Sequence, residues 1–253
     1  MFIKKISFLF FLLASYGLFA GGQVEADDGI SFNIDNFDSI DGSAAFDIEV
    51  RQSDRFSVVV YANRSDASKL LVKKSGRTLE LGIKPFTFGG WKGSPRAVIT
   101  MPNLKSVDLS GACSLIAAGF RSDSRFSADL SGASSLEIDI TAPSVDIELS
   151  GSSRFKSVVE TKDLTLDISG GSEAELVGRG ETLEADLSGA SSGDLEDFPL
   201  SKASVELSGS SDLYLTLNGR LDLDASGASS LYYSGDVSLG DIELSGVSTM
   251  KER

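Results

Sequence analysis

The side chains that could do chemistry in this sequence recur in register. Eight Ser-Gly pairs begin at Ser110, Ser131, Ser150, Ser169, Ser188, Ser208, Ser226 and Ser245. Two residues before each stands a carboxylate: Asp108, Asp129, Glu148, Asp167, Asp186, Glu206, Asp224 and Glu243. A column of carboxylates suits Ca²⁺, which prefers hard oxygen ligands. It equally suits a solvated acidic face that keeps neighbouring molecules apart. No Asp-x-Asp-Gly loop of the calcium-binding kind accompanies it. Three residues after each marker runs a second column, Ser134, Ser153, Ser172, Ser191, Ser211, Ser229 and Ser248, with Cys113 in the equivalent place of the first repeat. Serine nucleophiles need a base, and the chain has no histidine at all. Ser153 and Lys156 match Ser-x-x-Lys in form only, in one repeat of eight. These serines are expected to satisfy backbone groups at a corner, and Cys113 to pack as a small residue.

A third candidate is the stretch KPFTFGGWKGSPR, residues 84–96, which sets Phe86, Phe88 and the only tryptophan, Trp91, among Lys84, Lys92 and Arg96. Aromatic rings interleaved with cations suit an anionic glycan or a lipid headgroup, through stacking and charge. The same residues could fold back as a lid or meet a second subunit. No catalytic residue, cofactor or metal site is expected; Lys84, Phe86, Phe88, Trp91, Lys92 and Arg96 are the candidate ligand-binding set.

The elements that carry these residues follow from periodicity. The marker spacings are 21, 19, 19, 19, 20, 18 and 19 residues, the signature of a solenoid whose repeats bury their apolar faces on one another. Positions one and three before each marker are apolar (Leu149 and Ile147, for example), and the carboxylate lies between them. Period-two alternation is a strand with one buried face. The glycine after each marker reads as a sharp corner, and a second alternation follows, as in Leu136, Ile138 and Ile140. Each repeat is thus one coil of a right-handed parallel β-helix. About eight coils spaced ~4.8 Å apart would make a rod roughly 35–40 Å long. The leucine-rich-repeat pattern is missing.

Residues 27–105 are expected to form irregular β coils and a cap, continuous with the regular repeats of 106–253. The closing MKER segment would guard the last coil, or a second copy would cover it. Residues 1–26 read as a secretory signal: Lys4 and Lys5, the apolar run Ile6–Phe19, then small residues, with cleavage near 20–26. The single cysteine excludes an internal disulfide. Charge is uneven: residues 106–253 carry 26 acidic and 10 basic side chains, a net of −16, whereas 64–105 carry nine basic against two acidic, a net of +7. A cationic region therefore sits beside an anionic body.

The segments FDIEVRQSDRFSVVVYAN, SKLLVKKSGRTLELGIK and AVITMPNLKSVDLSGACSL, in that order, resemble the head GIN domain family, whose label is autotransporter adhesin. The resemblance runs from about Phe32 to Glu243. It implies an exported bacterial β-helix and no established reaction.

The expectation is an exported, non-enzymatic, adhesin-like binding protein in the periplasm, on the cell surface or secreted. Its partner would be a glycan or an envelope component, reached through the basic aromatic loop. Nucleic acid fits poorly, no segment beyond the signal could span a membrane as a helix, and a homo-oligomer is left open. The alternatives are a self-assembling structural envelope protein and a polysaccharide lyase or hydrolase.

Overall fold

A computed structural model of the protein describes residues 29–63, 65–84 and 93–253. Two long parallel ladders account for most strands. Each coil contributes one strand to each ladder, and the apolar residues of both point into one core, as the alternation requires. The first ladder, which carries the carboxylates, stacks Thr78–Ile83, Ser39–Gly42, Ser106–Leu109, Phe126–Leu130, Ser144–Leu149, Asp163–Ile168 and Thr182–Leu187. It continues through the second halves of Ser192–Leu207 and Asp212–Ala225 to Val237–Leu244. The second ladder runs from Arg96–Met101 through Asp47–Gln52, Ser114–Arg121, Ser135–Thr141, Arg154–Glu160 and Glu173–Arg179. It then takes the first halves of the two long strands and ends on Ser230–Ser234 and Thr249–Glu252. The architecture is the all-β solenoid of about 19 residues per turn that the repeat predicts.

The corner has two causes. Its glycine holds a left-handed backbone, as at Gly151 and Gly170, both with φ +74°. There is also no room for a larger residue: a Cβ on Gly170 would lie 2.5 Å from the carbonyl oxygen of Gly151 in the coil before. The buried serines behave as polar corner ties. Ser134, Ser153, Ser211 and Ser229 each donate to the carbonyl of the residue three before, at 2.8–2.9 Å. Cys113 is buried among them, and burial pushes its thiol pKa up, so it is a packing residue with little thiolate character.

The carboxylate column faces outward and is longer than the repeat indicates. In-register pairing adds Asp41 and Glu80 below Asp108, giving an uninterrupted line from Glu80 to Glu243. Neighbouring charges ~4.8 Å apart repel by about 1 kcal/mol in water before screening. At one end Lys73 relieves this by pairing with Glu80 at 2.9 Å. Burial, then repulsion from Asp41 and Asp129, pushes the Asp108 pKa above its ordinary value. A carboxyl raised in the folded state stabilises the fold only once protonated, and that contribution is lost as pH rises through the folded pKa. Asp108→Asn should therefore stabilise the protein at neutral pH, by roughly 0.5 kcal/mol after solvent screening. Below about pH 3, where wild type is protonated too, the two should melt together. Lower neutral-pH stability in the variant, or a gain that persists in acid, would refute this electrostatic account.

The N-terminal region departs from simple succession. The first coil in sequence, residues 39–52, is second in the stack. The chain leaves it, forms Ser57–Tyr61 antiparallel to Arg96–Met101 and Leu70–Ser75 antiparallel to Thr78–Ile83, and builds the end coil from 78–101. It then passes back over the first coil to Ser106–Leu109, which pairs with Ser39–Gly42. Asp38 ties this crossing together, accepting from Arg77 at 2.8 Å and pairing with Lys105 at 3.2 Å. Burial alone would raise its pKa; these two cations outweigh that and hold it below the ordinary value. The antiparallel strands, with Gly29–Phe32 outside them, close this end of the solenoid.

Candidate binding surface

The end coil lacks a Ser-Gly corner, and residues 84–95 take that place. Around this insertion Ser43 N–H donates to Leu81 and Asp47 N–H to Pro95, so the two sides of the coil remain in register with the corner above. Of the six candidate residues, Lys84 and Arg96 are described; Phe86, Phe88, Trp91 and Lys92 lie outside the described residues. Lys84 reaches back to the Ser68 carbonyl at 2.8 Å. Arg96 opens the end strand of the second ladder and pairs with Glu49 at 2.8 Å.

Glu49 is shared. Arg51 binds its other oxygen, so one carboxylate holds two guanidinium groups whose side chains are 61% and 60% exposed. Burial raises the Glu49 pKa, but hydrogen bonds from Arg96 and Arg51 outweigh it and keep it below the usual value. The cluster therefore carries a net positive charge at neutral pH. It lines a surface groove of about 380 Å³ together with Asp47, Ser114, Ile116 and Ala118. Ile116 is half exposed; its register mates in the next coils are Glu137 and Lys156. The groove thus has an apolar strip beside a rim on which two exposed guanidinium groups stand among the carboxylates of Glu49 and Asp47.

In the strand Ser114–Arg121, one coil beyond residues 39–52, Ala118 and Gly119 form a bulge: Ile138 pairs with Ala117 and Ile140 with Phe120, with Gly119 at φ +72°. A bulge bends its strand and re-aims side chains. Here it borders a second depression formed by Arg51, Gln52, Ser53, Asp54, Pro102, Ala118 and Gly119. Sequence reasoning did not single out Glu49, Arg51 or Ile116. The signal available was the first spacing, 21 residues against 19. One extra residue is the bulge; the other lies in the turn between Arg121 and Phe126.

Ser114 donates to the Asp47 carboxylate at 2.8 Å, and histidine, the commonest base beside a serine nucleophile, is absent from the chain. Among the described residues no group of three or more His, Cys, Asp or Glu side chains is placed to hold a metal ion. The ladder of carboxylates therefore gains no support as a calcium centre. No described helix is long and apolar enough to cross a membrane.

Known proteins place this architecture. A crystal structure from Parabacteroides distasonis, described as a "putative lipid binding protein", aligns with a TM-score of 0.84 at 17% identity, covering 90% of this chain and 96% of that one. A "putative adhesin" of the same species gives 0.81 at 14% identity over 89% and 96%. Another from Parabacteroides merdae gives 0.79 at 17% over 89% and 95%. At these identities the likeness shows the fold. No curated protein matches the chain. The family model described as "Putative auto-transporter adhesin, head GIN domain" matches residues 36–236, so the chain belongs to the head GIN domain family.

Proposed function

We propose that the protein is an exported, non-enzymatic binding module of adhesin type that holds an anionic glycan at the end coil. The observation that carries the reading is the replacement of a tight glycine corner by the 84–95 insertion, beside two half-exposed guanidinium groups on an otherwise acidic molecule. Carboxylate or sulfate groups of a glycan would compete with Glu49 for Arg51 and Arg96, while Ile116 and the loop aromatics cover sugar faces. An anionic lipid headgroup offers the same charge, and one structural relative carries a lipid-binding description.

The test is retention of the purified protein on immobilised anionic and neutral glycans at low and high salt, with vesicles of anionic lipid in parallel. Salt-sensitive capture by anionic glycans is expected, weakened about tenfold in Arg96→Ala, as for loss of a charge-assisted hydrogen bond, and also weakened in Trp91→Ala. Capture only by vesicles would transfer the site to lipid. Capture by nothing, or capture indifferent to both substitutions, would end the proposal.

A further inference from the structure

The two ends of the solenoid differ. One is closed by antiparallel strands. At the other, the last coil shows its interior. Five large hydrophobic residues are exposed among those described, and three belong to this coil: Leu239 at 52%, Leu244 at 48%, and Val247 at 75%, the last at a corner position that is exposed in every regular coil. Leu239 and Leu244 stand in register with the buried Leu221 and Ala225 of the coil before, so they are core positions without a further coil over them. The backbones of Val237–Leu244 and Thr249–Glu252 also present their outer edges. Bare edges and core together form a template for pairing.

A foreign strand would cover one ladder edge. A second coil end covers both edges and the core between them at once. In their outward rows the charges of the two edges differ in sign, Glu252 standing in the inward row in register with Tyr233. Val237–Leu244 carries Asp241, whose side chain is 96% exposed, and Glu243. Thr249–Glu252 carries Lys251, held against the Tyr232 ring at 5.5 Å. Arg253 follows, over the stacked pair Tyr214 and Tyr232, whose ring centres are 4.7 Å apart. Head-to-head contact about a two-fold axis lying along the strands lays each acidic edge antiparallel to the other copy's basic edge, and keeps corner over corner. Such a contact is self-complementary, as a closed dimer requires.

We propose that this open end is a two-fold interface between copies of the chain, in which Asp241 and Glu243 face the partner's Lys251. The footprint is set by one strand about 26 Å long, one about 13 Å long, and a spacing of about 10 Å between the two sheets. With side chains this is on the order of 500 Å² per copy, short of the ~800 Å² of a standard interface. The dimer is therefore weak and concentration-dependent, and each binding loop is carried at the far end from the contact.

Sedimentation equilibrium of the purified protein over a range of concentrations tests this. Wild type should show a monomer–dimer equilibrium. Val247→Asp, at an exposed corner, should weaken it at least tenfold with an unchanged melting temperature. Glu243→Lys and Lys251→Glu should each weaken it several-fold, and the double exchange should restore it. A protein that stays monomeric at the highest concentrations overturns the proposal, and so does a dimer indifferent to Val247→Asp. A dimer whose double exchange fails to recover overturns the edge pairing. None of these outcomes depends on glycan capture.

Discussion

Gly178→Ala should lower the melting temperature by about 10 °C or more, a large effect for a single methyl group. Gly178 sits in the strand Glu173–Arg179, paired with Val159 of the coil before. Its φ is +135°, and a Cβ there would lie 1.9 Å from the Val159 carbonyl oxygen. That oxygen belongs to a ladder strand, so it cannot yield without breaking pairing on both sides of the coil. Left-handed backbone alone costs about 1–2 kcal/mol for a residue with a side chain. An unrelievable backbone clash raises this to about 4 kcal/mol or more, which for a chain of this size corresponds to roughly 8–16 °C. Gly76→Ala is the matched control. Gly76 also has positive φ, +60°, but nothing lies within 4 Å of its Cβ position. It should lose only the conformational part, about 1–2 kcal/mol. If thermal melts place the two variants together, close stacking of coils is not what selects glycine at Gly178.

Phe155→Ala should cost about 3–5 kcal/mol, the range for removing a buried aromatic side chain. Phe155 is fully buried. Along its column the inward residues are Leu136, Phe155, Ala174 and Gly193, then Leu213. Two large side chains are followed by two small ones, so Phe155 occupies space that Ala174 in the next coil leaves empty; Leu213 does the same at Gly193, where a Cβ would meet it at 2.8 Å. Truncating Phe155 beside Ala174 and Gly193 puts three small residues in a row and opens a cavity that the rigid ladders cannot collapse to fill. Phe155→Leu with Ala174→Val should recover a good part of the loss. Urea denaturation of the three proteins decides it. A cost below about 1 kcal/mol for Phe155→Ala would mean the coils relax far more than a continuous hydrogen-bonded ladder should allow.

These two residues mark what each level of description supplies. The glycines of the corners were legible because the Ser-Gly phrase repeats, and a repeated glycine in an alternating pattern has one common cause, a turn. Gly178 was not legible: it interrupts a strand, and only the coil before it explains why a side chain is impossible there. The Phe155–Ala174 compensation likewise joins residues 19 apart that meet only when coils stack.

Sequence by itself determined the strand periodicity, the outward carboxylates, the corner serines and the coil length, because each depends on neighbours a few residues away or on one period. It also located the 84–96 segment as the exception between two strands. Tertiary structure alone decided the order of the first two coils, the extension of the acidic line to Asp41 and Glu80, and the meeting of Arg51 and Arg96 on Glu49. The physical reason is the same in each case. These contacts are set by the chain's return across an end coil, and alternation along a strand fixes which face a residue takes but not which coil comes to lie beside it.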